Sequence, residues 1–289
     1  MTAKTVLIFG ASGQDGSLMS KSLLEKGVRV IGLSRLQSNQ PIKNHLILGI
    51  EKEVEIIDGD IEKYSTITNL IEKYQPREIY NLAGQSSVGE SFRYPRKTLK
   101  SIINGSQNIL EACRKLDFKG AIFFAGSSEI FGNMKKPASI EDIHQPMNPY
   151  AISKSTSFNL VKLYREVYGL KCMTGVLFNH ESPLRKSSFV TQKIISGAIE
   201  CKKGRTKVLK LGNLEIARDW GWAPEYVEAM QLIANSEMLN DQIICTGKST
   251  TLKRFIEIAF KKLDLDWEDY VTSDEKLFRE TEIEKSVGD

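Results

Sequence analysis

The stretch IFGASGQDG, residues 8–16, decides the fold. An apolar run ends in Phe9, and three glycines follow at a spacing of three, Gly10, Gly13 and Gly16, before an amphipathic stretch begins. A strand that turns through glycines into a helix lets the backbone bend tightly and lets a ligand approach bare N–H groups. The helix N-terminus behind them favours negative charge, so the turn is suited to a pyrophosphate. Gly10, Ser12, Gly13, Gln14, Asp15 and Gly16 are therefore candidate dinucleotide-binding residues.

Outward from this turn the pattern repeats. Short apolar runs at 6–9, 28–33, 54–57, 78–82 and 121–124 read as strands, and amphipathic stretches at 17–26, 67–74 and 97–116 read as helices. Such alternation predicts an α/β protein, a doubly wound parallel sheet of Rossmann type with helices on both faces. A helix at 149–168 and a strand at 172–178 extend it. Beyond 178 the periodicity loosens, with helices expected at 190–202, 224–236 and 252–263 and strands at 207–211 and 242–246. This predicts a dinucleotide-binding domain over 1–178, to which 212–236 returns. A smaller interleaved lobe is expected from 179–211 and 237–289.

The chain has 289 residues, 41% of them hydrophobic, enough for a sizeable core. Its 40 basic and 36 acidic residues are dispersed, and no basic tract carries interleaved aromatics, so a nucleic-acid partner is not expected. No apolar run approaches the roughly 20 residues of a membrane span. Four dispersed cysteines without a CxxC pair, and no apolar leader before Val6, suggest reduced thiols in a cytoplasmic protein. Three histidines without ligand spacing argue against a metal site.

The end of the second predicted strand bears on the cofactor. An acid there would suit a free ribose 2'-hydroxyl and an arginine a 2'-phosphate; Ser34 and Arg35 occupy the place, which favours NADP over NAD. Two uses fit Asp60, which with Ile61 follows the third strand: flanking an adenine, or capping the next helix. Further on, NPYAISK (148–154) puts Tyr150 and Lys154 four apart, on one face of a helix. A tyrosine near pKa 10 is a poor base at neutral pH, and an ammonium one turn away would favour its phenolate. SSEIFG (127–132) sets Ser127 and the carboxylate Glu129 at a strand-to-loop edge.

The glycine turn with Ser127, Tyr150 and Lys154 resembles the extended short-chain dehydrogenase/reductase superfamily. More specifically, GASGQDGS, NLAGQSSV, SSEIFG, NPYAISK, YREVYGLKC, LFNHESPLR, FVTQKI, LGNLEIARDWG, EYVEAM and LFRETEI, in this order, are similar to the GDP-mannose 4,6-dehydratase family along nearly the whole chain. The resemblance implies a bound NADP, with Leu82 and Ala83 beside it, and Ser127, Glu129, Tyr150 and Lys154 as catalytic residues. Glu129 would then be the base that lifts a C5 proton, which a simple alcohol oxidation does not need. Gln85, Ser86, Ser128, Asn179, Arg185, Lys193, Arg218, Arg279 and Glu282 match positions that meet the GDP-sugar, and a homo-oligomer is implied, paired through the helices at 97–116 and 149–168. The chain departs from the family at Gly84 and Ser87, usually Ala and His, and in SFRYP (91–95); relatives continue past Gly288-Asp289, so a looser substrate lobe is expected. The competing expectations are a GDP-sugar 4-oxidase, 4-reductase or epimerase, and a non-catalytic NADP-binding scaffold. Stoichiometry separates the first group, since a reductase consumes NADPH and a dehydratase shows no net change.

Overall fold

The structure, a computed structural model, describes residues 4–36 and 41–289. In chain order its elements are β1 (Thr5–Phe9), α1 (Gln14–Glu25), β2 (Arg29–Ser34), α2 (Lys43–Leu48), β3 (Glu55–Asp58), α3 (Tyr64–Tyr74), β4 (Glu78–Asn81), α4 (Val88–Arg93), α5 (Pro95–Leu99), α6 (Gly105–Lys115), β5 (Ala121–Ala125), α7 (Pro149–Tyr168) and β6 (Cys172–Leu177). Then follow β7 (Asn179–Glu181), α8 (Val190–Lys202), β8 (Leu209–Leu211), β9 (Ala217–Trp222), α9 (Ala223–Ala234), β10 (Gln242–Ile244), β11 (Ser249–Thr251), α10 (Leu252–Lys261) and β12 (Val271–Ser273).

Seven strands form a parallel sheet in the order β10-β6-β5-β4-β1-β2-β3. Alternation along each strand divides its side chains between two cores. From β1, Leu7 and Phe9 join the core under α3, α6 and α7, where Ile67, Ile109 and Val161 are fully buried. Val6 and Ile8 join the opposite core with Met19 of α1 and Met230 of α9. Each such buried side chain contributes about 1.5–3 kcal/mol. This is the expected doubly wound α/β arrangement, and it leaves the strand C-termini open at one edge.

A third core lies apart from both: Ile194 and Ala198 of α8 meet Ile256 and Phe260 of α10, beneath β8 and β12, which pair in parallel. Between this lobe and the large sheet, β9 pairs with β7 in parallel and with β11 antiparallel. The stretch 237–289 is divided: β10 completes the large sheet beside β6, and α10 and β12 belong to the third core.

Several details differ from the sequence expectation. The helix expected over 97–116 starts earlier, at Pro95 in α5, and passes through a π turn at Lys100–Asn104 before α6. The Ser157 hydroxyl of α7 reaches the Ile102 carbonyl in that turn, at 3.4 Å, a neighbour's polar group meeting a widened helical turn. Helices α2 and α4 and strands β7, β9, β11 and β12 were not expected. They are three to six residues long, too short to show a period. In α4, Ser87 is the N-cap, its hydroxyl accepting from the Glu90 N–H at 3.3 Å, and SFRYP ends α4 and begins α5 with Pro95 in the first turn.

Candidate active site

At the end of β1 the glycine turn lies against the end of β4, the point where strand order reverses. Gly10 has φ +86°, and a Cβ on it would come within 2.7 Å of the Ala83 nitrogen and the Leu82 carbonyl. At Gly16 a Cβ would strike the Gly10 carbonyl and stand 2.7 Å from Ala11 Cα. Gly13 is the N-cap of α1 and supplies no side-chain cap, so the first-turn N–H groups are left for a ligand, as a diphosphate requires. The fit to a dinucleotide rests on this turn. Beside it, the Ser12 and Ser34 hydroxyls lie 2.5 Å apart, and the buried His45 of α2 donates from Nε2 to the Ala11 carbonyl at 3.0 Å. Arg35 is about half exposed at the end of β2 and approaches Asp60 to 3.9 Å. Ile61 is buried, and a Cβ on Gly105 of α6 would meet its side chain.

Beyond β5, Gly126 bonds back to the Gly175 carbonyl at 2.8 Å, and the chain enters a 3-10 turn, Ser128–Phe131. Ser127 and Ser128 are buried there, and the Ser127 hydroxyl accepts from the Glu129 N–H at 3.4 Å. Asn148 ties the two halves of the site. Its carbonyl oxygen caps α7 by accepting from the Ala151 N–H at 2.8 Å, and its amide donates to Glu129 Oε2 at 2.9 Å. The same residue therefore caps the helix that carries Tyr150 and Lys154 and holds the Glu129 carboxylate.

Tyr150 and Lys154 do share a face, with the Lys154 Nζ 5.8 Å from the Tyr150 ring centre. The expected lowering of the phenol is not what the protein produces by itself. Burial dominates and pushes Tyr150 up to about 12; Ser127 and Arg185 lower it, while Glu129 and Asp15 oppose them. The ammonium donates to the Ala125 carbonyl at 2.7 Å, and burial brings Lys154 down to about 8.

The arginines divide. Arg218 of β9 is 5% exposed and donates to the Ile283 carbonyl at 2.7 Å and to Glu282 Oε1 at 3.0 Å. Arg279 reaches the same Glu282 oxygen at 3.4 Å, so these three candidates are brought together. Burial lowers Arg218, with Glu129 and Glu282 opposing, so the Glu129 carboxylate lies within electrostatic reach of this cluster. Asn179 pairs with Trp220 in the neighbouring strand. Arg185 stacks its guanidinium 3.8 Å from the Phe189 ring centre, and its buried Nε lies 3.5 Å from Glu181 Oε2, an ion pair without hydrogen-bond geometry. Lys193 is exposed on α8, with no polar contact to the cluster among the described residues. Ser86 is exposed, while the Gln85 amide is spent on the Ser87 carbonyl and Thr98 Oγ1, at 2.8 and 3.2 Å.

The family model described as GDP-mannose 4,6 dehydratase matches residues 7–289. The chain belongs to the GDP-mannose 4,6-dehydratase family. It is 40% identical to GDP-mannose 4,6 dehydratase 1 of Arabidopsis thaliana, over 99% of this chain and 82% of that protein. It is 34% identical to the GDP-mannose 4,6-dehydratase of Sinorhizobium fredii, over 99% and 89%. Among solved structures, the fold matches UDP-glucose 4-epimerase of Thermus thermophilus, in complex with NAD, at a TM-score of 0.86 and 23% identity over 99% of this chain and 90% of that one. DesIV, a dTDP-glucose 4,6-dehydratase of Streptomyces venezuelae with NAD and TYD bound, matches at 0.85 and 19% identity over 99% and 88%.

In this member of the dehydratase family four residues that organise the site escaped the sequence reading. Asn148 had a signal, since Asn before Pro at a helix start is a capping pattern. His180 and Ser182 lie inside LFNHESPLR, yet their partners are Asp15 and Gln14, far away in sequence, and no spacing rule reveals that. Asp219, fully buried beside Arg218, accepts from Thr246 N and Oγ1 and Gly247 N at 2.6–2.9 Å and from Gly288 N at 3.4 Å. Among the described residues no group of acidic, histidine or cysteine side chains could hold a metal ion, and no helix is long and apolar enough to cross a membrane.

Proposed function

We propose that this chain is a GDP-sugar 4,6-dehydratase that converts GDP-mannose, or a close GDP-hexose, to the GDP-4-keto-6-deoxy sugar through a retained NADP. The observation that carries the reading is Glu129, held by Asn148 and within electrostatic reach of both Tyr150 and Arg218. An oxidation of C4 requires one base; a dehydration requires a second, and this site has it. A bound nicotinamide dinucleotide would supply, when oxidised, the hydride acceptor for C4 and a positive ring that favours the phenolate and, once reduced, the hydride donor for C6.

Tyr150 takes the O4 proton, and the Ser127 hydroxyl donates to the oxygen that becomes the 4-keto group. Lys154, held by Ala125, orients and steadies the phenolate. Glu129 then removes the C5 proton, acidic beside the new ketone, and returns a proton to the departing C6 hydroxyl, so that water leaves and C5 is reprotonated at the end. Arg218 and Arg279 are assigned to the diphosphate and Glu282, held between them, to sugar hydroxyls. Arg185, paired with Glu181, and Lys193, Asn179, Gln85, Ser86 and Ser128 complete the proposed substrate set. On the cofactor side Gly10, Ser12, Gly13, Gln14, Asp15, Gly16, Leu82 and Ala83 form the cradle, with Asp60 and Ile61 at the adenine and Arg35 supporting a 2'-phosphate and hence NADP.

The separate core of α8 and α10 supports a substrate lobe over 179–211 and much of 237–289. The outer face of α7, with Ile152, Leu163 and Val167 44–62% exposed, supports a homo-oligomer. Four free cysteines support a cytoplasmic setting.

The test is incubation of the purified protein with GDP-mannose and no added cofactor, followed by mass spectrometry of the nucleotide sugar. Loss of one water establishes the dehydratase and its retained cofactor. An unchanged mass with GDP-mannose and with other GDP-hexoses, under the same conditions, overturns the reading.

A further inference from the structure

His180 lies between Asn179 and Glu181 in β7, and it is 7% exposed. Each ring nitrogen faces an acceptor: Nδ1 lies 2.7 Å from the Phe178 carbonyl, and Nε2 lies 3.0 Å from Asp15 Oδ2. A carbonyl and a carboxylate only accept, and a neutral imidazole has a single N–H, so a neutral ring would aim one lone pair at another where water is scarce. Only the imidazolium satisfies both contacts. Tyr226 of α9 covers one face of the ring, with centroids 4.5 Å apart at 21°, a stacking that also favours a cation.

The other two histidines give the contrast. His45 has the Ala11 carbonyl at one nitrogen and His144 has the Ser155 hydroxyl at one nitrogen, and burial moves both below the ordinary histidine range. At His180 burial also opposes the charge, as does Arg185 from the loop before α8. The Asp15 charge, its hydrogen bond and the Phe178 carbonyl outweigh them and move the ring upward. Asp15 in turn falls to about 2: burial raises it, but His180, Gln14 and Arg185 together prevail.

Asp15 stands in the first turn of α1, where an unpaired carboxylate would oppose an anionic ligand. Next to it, Gln14 donates to the His180 carbonyl at 3.1 Å and accepts from the Ser182 hydroxyl at 2.8 Å. We infer that His180 is held as an imidazolium that neutralises Asp15 and, with the Gln14 clasp, positions the glycine-rich turn against the segment carrying Asn179 and Arg185. His180 is thus a positioning residue for the cofactor end. The effect on the cofactor rests on the dehydratase reading above, whereas the protonation state does not.

The experiment uses the whole protein labelled with 15N-histidine, with ring nitrogens followed by NMR from pH 5 to 10 and His180 assigned from the His180→Gln spectrum. The expected result is that both His180 nitrogens carry protons at pH 7 while His45 and His144 are neutral; a neutral His180 at pH 7 overturns the inference. Asp15→Asn should lower the His180 midpoint by about 1–3 pH units, and an unmoved midpoint overturns the pairing. NADP retained per chain after gel filtration is the second readout. Loss of NADP should accelerate by roughly tenfold as His180 deprotonates, the scale of one charge at a partly buried helix end, and in Asp15→Asn this step should move down with the His180 midpoint, apart from any step of Lys154, which also titrates in this window. Retention that is flat while His180 titrates overturns the charge role. A protonated His180 in a protein that leaves GDP-mannose intact would instead count against the dehydratase reading alone.

Discussion

The glycine turn of β1–α1 and the β9 segment around Arg218 are both assigned to phosphates in the proposed reaction, and they are built on opposite grounds. The first works by missing atoms: Gly10 and Gly16 have no room for a Cβ, and Gly13 leaves the helix end uncapped. The second works by paired charge, with Arg218 gripping Glu282 while Asp219 gathers backbone groups from the 246–247 loop and the chain end. A site made of absences tolerates no added bulk, whereas a site made of charges tolerates no unpaired partner.

The two should therefore break differently. The largest effect is expected where they converge: Glu129→Gln should lower turnover about 10²- to 10⁴-fold while the unfolding midpoint and bound NADP stay as in the parent. Near-normal turnover, or normal C5 proton exchange into the product, would remove Glu129 from the chemistry. On the charged side, Asp219→Ala strands several buried donors and should cost about 3 kcal/mol in urea denaturation, with KM for GDP-mannose rising more than kcat falls. Acid should reveal the Asp15–His180 pair. Asp15 titrates near 2 in place of 3.8, so its contribution of about 2 kcal/mol is complete above the higher value and disappears as pH falls toward the lower. His180, raised above 6.5, contributes fully below that value and loses its share as pH climbs through its folded midpoint. The stability attributable to the pair, measured as wild type minus Asp15→Asn by denaturation at each pH, should peak between these limits; a flat difference would break the comparison. The smallest effect sharpens it. Gly16→Ala should cost about 1–3 kcal/mol from crowding, yet Gly13→Ala, with φ outside the left-handed region and its nearest neighbour 3.4 Å from the new methyl, should cost less than about 1 kcal/mol and lose NADP nonetheless. Equal destabilisation by the two would mean that space is not what distinguishes them.

The same contrast explains what the sequence revealed. Most strands of the large sheet were legible as continuous apolar runs such as Val6, Leu7, Ile8 and Phe9, which are buried on both faces. Helix α7 was legible at both ends: Asn148 caps it, Pro149 starts it and Gly169, at φ +68°, stops it. The lobe's three-residue strands carry no period, and Asp219 is legible only through residues 27 to 69 positions away. The residue pair Tyr150 and Lys154 could be placed on one face from spacing alone. The direction of the tyrosine shift could not, because it is set by burial, a tertiary property.

Arg218 and Asp219 are successive residues of β9, with Thr250 and Ser249 opposite them in β11, so their side chains leave the strand on opposite faces. One added or deleted residue upstream in the strand would exchange the cation and the anion between those faces, whatever letters surrounded them. The length of this stretch therefore matters as much as its two charges: an inserted or deleted residue can be absorbed by the loops on either side but not by the strand itself.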